Sequence, residues 1–328
     1  MSDCTGGSGA AVGPGGHAHQ AQRRVVVALD VGGTGMKCAL VRPDGTVHHT
    51  ERHPTRAERG PEAVLGTILD VAAGLADKAR ADGLEPVAAG VAVPGVVDEE
   101  NGIAAWSSNI GFRDVPVRAR LEERLGLPAV LGHDVRVGGT AEARLGAGRG
   151  HRHVLFVAIG TGIAAALIVD GTGYGGAHGG AGELGHIVVR PGGPACPCGQ
   201  RGCLESLCSA RAIGLRYAEL AGVPGATALD VVTRAGQGDD LARTVWREAI
   251  EALADGMVIA QALYDVGVFV IGGGLAEARS ELLHPLKETF RERVTFHRVP
   301  EFVRAGLGDE AGCIGSALLA LDHLEKTS

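Results

Sequence analysis

Residues 25–41 read VVVALDVGGTGMKCALV, an apolar strand, a turn built on glycines and a second strand. Gly32, Gly33 and Gly35 let the backbone turn tightly and present amide donors; Thr34 adds a hydroxyl, Lys37 a cation, and Asp30 ends the first strand. Together these groups can cradle phosphates, with Asp30 holding a magnesium ion directly or through water. The plain alternative is a hairpin with a glycine-rich tip, because the pattern is neither a Walker loop nor G-x-G-x-x-G. Residues 153–171, HVLFVAIGTGIAAALIVDG, repeat the signature with Gly160, Thr161 and Gly162 at the turn. Two such turns in one chain suggest duplicated lobes, and a nucleotide triphosphate can lie between them.

The segments around these turns alternate strand and helix. After the turn signal PDG, residues 46–51 (TVHHTE) make a third strand. From Pro61 to Asp82, Val64, Ile68, Leu75 and Ala79 recur at helical spacing behind a proline suited to the first turn. Residues 88–98 read as a buried strand ending in a proline-glycine turn, and residues 101–116 as a polar loop carrying Asn109. An Asn amide both donates and accepts, so it suits a hydroxylated ligand as well as a turn. In residues 128–148 a short strand runs into His133-Asp134 and a small helix. A carboxylate at that junction lies at the rim of a sheet, where α/β folds place their chemistry, and helix capping is the equal alternative. Further on come a long helix from Asp239 to Tyr264 and a strand ending in Gly272-Gly273-Gly274, a turn that lets backbone approach an adenine or ribose. A final helix from about Glu310 packs back on the first lobe.

The stretch Gly182–Glu205, GELGHIVVRPGGPACPCGQRGCLE, gathers His186, Cys196, Cys198 and Cys203 between two glutamates, Glu183 and Glu205. Three thiolates and an imidazole complete one tetrahedral shell, which describes a closed, structural zinc site. Disulfides or idle thiols are the alternative. Prolines and glycines break any helix or strand here, so something else must fix the loop. Carboxylates beside a rigid metal loop can accept hydrogen bonds from the hydroxyls of a polyol.

With 328 residues the chain is long enough for two lobes, and its net charge of −7 disfavours nucleic-acid binding. The other cysteines, Cys4, Cys38, Cys208 and Cys313, lack framework spacing, which suits a reducing cytoplasm. No stretch is apolar enough to span a bilayer, so no membrane partner is expected. Aromatic residues make up only 3%, so hydrogen bonding must carry most of the recognition. Residues 1–22, with His17 and His19, read as a disordered tail, too short and glycine-rich for a helix-turn-helix.

These motifs resemble the ROK family of sugar kinases and sugar-responsive repressors over nearly everything after Arg24. DVGGTGMK looks like its first phosphate motif, GTGIAAALIVDG like its second, and GELGHIVV with CPCGQRGCLE like its two signatures. The resemblance implies an α/β fold of two actin-like (ribonuclease H-like) lobes with an interlobe cleft. The first lobe would be residues 23–135, joined by the helix at 310–326; the second, residues 136–309, would carry the zinc loop. It implies an ATP-dependent, magnesium-requiring kinase for a hexose, glucose or a relative such as N-acetylmannosamine, working as a cytoplasmic homodimer or homotetramer. Asp134 would be the catalytic base, Asn109, Glu183, His186 and Glu205 would contact sugar, and His186 would also serve the zinc. Kinase members usually place the base in Asn-Asp-Ala-Asn, whereas here it is His133-Asp134-Val135-Arg136. Arg136 is then expected to pair with Asp134 or face a phosphate, and His133 to add a pH dependence near neutrality.

Overall fold

Both glycine turns join antiparallel strands in the computed structural model, which describes residues 23–327. The tail expected at residues 1–22 lies outside the described residues. Strands β1 (Arg24–Val31) and β2 (Gly35–Val41) pair so that Asp30 faces Lys37, and β3 (Val47–Pro54) forms the edge. On the other side of β1, β4 (Glu85–Val93) and β8 (Ala129–His133) add in parallel, giving the order β3-β2-β1-β4-β8. Strands β9 (His153–Ile159), β10 (Ile163–Val169), β11 (Thr172–Gly173), β12 (Val268–Gly272) and β13 (Glu301–Arg304) make a second sheet, β11-β10-β9-β12-β13. Antiparallel and parallel pairings fall at the same places in both sheets, so the duplication read from the two turns is a duplication of topology.

Alternation along β1 explains how the first sheet is covered. Val25, Val27 and Leu29 pack with Val64, Leu65, Ile68 and Leu75 of helix α1 (Pro61–Ala81). Val26 and Ala28 point the opposite way, onto Cys313 and Ala317 from the helix Ala311–Thr327. A strand buried on both faces needs a continuous apolar run, which β1 has from Val25 to Leu29. The second lobe is built around the helix Asp240–Tyr264, whose Val245, Leu253 and Met257 meet Leu155, Val157 and Ile159 of β9. Phe269, Phe290 and Phe302 complete this core with ring centroids 5.1 to 5.9 Å apart in edge-to-face contact.

One expectation is corrected. Residues 101–116 are not a polar loop: β6 (Ile103–Ser107) pairs antiparallel with β7 (Phe112–Val115) on one side and with β5 (Val96–Asp98) on the other. Ala104, Ile110, Phe112 and Val115 enter the core under α1, sparse apolar positions that outweigh the polar residues between them. Helices α2 (Val117–Leu125) and α3 (Asp134–Arg144) follow, and α3 lays Ala143 against Val154, Phe156 and Ile168 of the second sheet. After the cysteine-bearing loop come α4 (Glu205–Cys208), α5 (Ala210–Ala221), α6 (Ala228–Gly236), α7 (Asp240–Tyr264), α8 (Ser280–Arg293) and α9 (Ala311–Thr327). Asp239 caps α7 by accepting from the amides of Leu241 and Ala242. Helices α3 and α9 cross where the lobes meet, so closely that a methyl group placed on Gly315 would lie 2.0 Å from the Val137 carbonyl oxygen. Among the described residues no helix is long and apolar enough to cross a membrane.

Candidate active site

Strand β8 gives way to α3 at His133. The His133 ring takes the capping position: the Arg136 backbone N–H donates to its Nδ1 at 3.4 Å. Asp134, the next residue, accepts the Val135 N–H at 2.7 Å on Oδ1, and the same oxygen lies 3.5 Å from His133 Nε2. Burial raises the Asp134 carboxyl above the ordinary carboxylate range, against the pull of the Val135 amide and Arg136. Burial likewise pushes His133 down to about 4, helped by Arg136 and opposed by Glu183 and Glu99. The expected titration of His133 near neutrality is therefore corrected, because its imidazole is neutral at pH 7.

Arg136 also departs from expectation. It does not pair with Asp134. Its Nε and Nη2 lie 2.9 and 2.8 Å from Glu99 Oε1, and Nη1 donates to the Gly179 carbonyl at 3.4 Å. A guanidinium only 5% exposed needs its donors met, and Glu99 meets them from the first lobe.

Asp30 ends β1 close enough to Asp134 for the two carboxylates to interact. Its pKa rises to about 6, mainly through burial and then through Asp134, with Lys37 acting the other way. A carboxylate held in that state gains from a divalent cation, so the donor chemistry fits magnesium. Around it the first turn is tied down: the Gly32 N–H donates to the Gly35 carbonyl at 2.9 Å, and Thr55 Oγ1 to the Gly32 carbonyl at 2.5 Å. Thr34 is exposed at the tip, and a methyl group placed on Gly33 would lie 3.2 Å from Asn109 Cβ, so Asn109 sits against this turn. Lys37 Nζ lies 3.2 Å from Asp309, which Arg52 also pairs at 2.7 Å, so its charge is shared with that carboxylate.

The second turn is built the same way. The Gly160 N–H donates to the Gly162 carbonyl, Thr161 is exposed, and Gly273, at φ 78°, backs onto the Ile159 backbone just before the turn. Glu205 Oε2 accepts the Ile163 N–H at 2.9 Å and lies 2.5 Å from where a Gly162 methyl would be. The end of the cysteine-bearing loop Gly182–Glu205 thus reaches the second turn.

Within that loop, His186, Cys196, Cys198 and Cys203 bring their ligand atoms within 4.8 Å of one another. His186 Nδ1 lies 3.6 Å from Cys196 Sγ, and Cys198 Sγ 3.7 Å from Cys203 Sγ. Tetrahedral bonds of about 2.3 Å place ligand atoms about 3.8 Å apart, so this cluster could hold zinc. Bridges between Val188 and Cys203 and between Ala195 and Arg201 shape the loop. The other ring nitrogen of His186, Nε2, faces Glu183 Oε2 at 3.9 Å. One imidazole can therefore address the metal on one side and a ligand on the other.

A family model described as ROK family matches residues 26–323. The chain belongs to the ROK family. Glucokinase of Thermotoga maritima is 33% identical over 320 residues, covering 91% of this chain and 98% of that protein. N-acetylmannosamine kinase of Escherichia coli O1:K1 is 30% identical over 297 residues, covering 90% and 97%. Among solved structures, a ROK family glucokinase from Streptomyces griseus in complex with glucose and AMPPNP superposes with a TM-score of 0.77 at 29% identity, covering 91% and 99%. The two five-stranded sheets of this ROK chain are accordingly the centres of its two actin-like (ribonuclease H-like) lobes, with a cleft between them.

Sequence reasoning missed Glu99, Asp309 and Thr55, which hold Arg136, Lys37 and the first turn. Each acts across a long sequence separation, and none lies in a recognisable motif; only the fold brings them to their partners.

Proposed function

We propose that this chain transfers the γ-phosphoryl group of ATP to a hydroxyl of a hexose, with glucose the first candidate and Asp134 the general base. An ATP-dependent sugar kinase is the class to which its relatives point. The observation that carries the assignment of the base is the placement of Asp134. It lies half-buried where β8 meets α3, with a raised pKa, near Asp30 of the first glycine turn and beside His133, which feels the charge of Glu183. A carboxylate so placed accepts a proton from a sugar hydroxyl better than an ordinary aspartate would.

In this reading Asn109, Glu183, His186 and Glu205 orient the sugar by hydrogen bonds, converting an encounter into an in-line attack. Gly32, Gly33, Thr34, Lys37, Gly160, Thr161, Gly162 and Gly273 line the nucleotide's path with amides and hydroxyls. Magnesium held at Asp30 would neutralise charge on the phosphates, and zinc on the Cys3His cluster would fix the loop bearing Glu183 and Glu205 without entering the chemistry. The lobes divide at residues 135 and 136, with helix 310–326 returning to the first, and the protein works in the cytoplasm as a homodimer or homotetramer. N-acetylmannosamine is the second substrate reading, favoured by the Escherichia coli relative.

The test is a coupled assay of ADP release with ATP and Mg2+ over hexoses and N-acetylhexosamines, with polyphosphate as an alternative donor and Asp134→Asn alongside. Turnover on one sugar, lost in the variant, is the expected result. A zinc-loaded, folded protein with no turnover on any sugar would overturn the proposal in favour of a sugar-binding or sensing role.

A further inference from the structure

We propose that His133 is a positioning residue for Asp134: its Nε2–H holds Oδ1, so that Oδ2 is the oxygen that receives the sugar proton. Its catalytic consequence rests on the kinase reading; the arrangement belongs to the structure. The Arg136 backbone N–H donates to His133 Nδ1, so that nitrogen is an acceptor and the ring proton belongs on Nε2. Nε2 faces Asp134 Oδ1 at 3.5 Å, the same oxygen that takes the Val135 amide at 2.7 Å. Both contacts thus fall on one carboxylate oxygen. At this length the contact is long for a hydrogen bond, and catalytic hydrogen bonds of free enzymes commonly shorten in the substrate complex.

The His133 backbone is fixed in turn. Glu99 Oε1 accepts the His133 N–H at 3.1 Å while it binds Arg136 through two nitrogens. Glu99 therefore does two things for Asp134. It anchors the residue before the base, and it draws off a guanidinium that would otherwise pair with the base and lower its basicity. The charged groups facing the His133 ring are Arg136, Glu99, Glu183 and Asp134, and with the side chain 10% exposed the neutral form is favoured. A neutral imidazole donates one hydrogen bond without placing a full positive charge against the base, which distinguishes it from a lysine or arginine at the same position.

The test compares His133→Ala and His133→Gln with the parent protein, each checked for an unchanged melting profile. Gln carries an amide N–H to about the position of Nε2. His133→Ala is expected to lower kcat about 10-fold or more, with sugar and ATP KM changed less than about 3-fold. It should also shift the acid limb of kcat/KM to higher pH, because loss of a donor to a carboxylate raises its pKa. His133→Gln is expected to restore most of both. Side-chain 15N NMR should show His133 protonated on Nε2 and bare on Nδ1 from about pH 6 to about pH 8. A proton on Nδ1, an unmoved acid limb in His133→Ala, or a Gln variant no better than Ala each overturns the proposal while the kinase reading stands. Absence of turnover in the parent protein overturns the catalytic role together with that reading.

Discussion

Replacing Asp30 by Asn should make the protein more stable and less active, and the gain should depend on pH. Asp30 has its pKa raised from the ordinary 3.8 to about 6. A folded-state pKa above the unfolded one means that folding binds protons, so the penalty on the folded state builds as pH rises from about 4 to about 6 and is complete above that. At about pH 8 the ionised carboxylate costs about 3 kcal/mol, falling to about half that at about pH 5. An Asn of the same shape removes the charge. In buffer without magnesium, Asp30→Asn should therefore melt about 5 °C higher than the parent at about pH 8, with a smaller difference at about pH 5. Added magnesium should raise the melting temperature of the parent and leave the variant unchanged. Calorimetry at both pH values reads all of this. Equal differences at the two pH values, or a variant that melts lower at about pH 8, would refute the argument that a buried charge is being held at a cost.

Other outcomes follow from the same contacts. Because burial raises Asp134, the acid limb of kcat/KM should lie above the ordinary aspartate value of about 4, and activity should be lost as pH falls through it. Cys198→Ser should release the metal, measured by atomic absorption. It should also raise the sugar KM about 10-fold or more while kcat changes less, since the loop orients ligand groups and leaves the base alone; an unchanged KM would contradict that role. Phe269→Ala, at the centre of the phenylalanine cluster, should destabilise the second lobe by about 3–5 kcal/mol in urea titration. Sugar binding should lower the radius of gyration in solution scattering as the lobes close, and an unchanged value would contradict closure.

Elements carrying their own local signal were legible in the sequence. The two glycine turns, the Cys3His cluster and the strand-to-helix junction at Asp134 each rest on residue types concentrated in a short stretch, and each forms at those residues. The hairpin at residues 103–115 was missed because its apolar residues are few and its polarity looks like a loop until α1 covers it. The partners of the charged site residues were illegible for another reason. Arg136 finds Glu99 rather than Asp134, and Lys37 finds Asp309, through pairings that depend on where separate elements end. Electrostatics between distant segments leaves no periodic trace along a chain.

Helix α9 covers a face of the first sheet, yet it is encoded after the whole of the second. On the ribosome the first lobe must wait with the Val26 and Ala28 side of β1 exposed until Ala311–Thr327 emerges, while the second lobe already has its core residues in hand. Order of synthesis and order of completion are therefore reversed for the two lobes. A chain cut short at Glu310 and released would hold the core residues of its second lobe, joined to a first lobe open to proteases and chaperones.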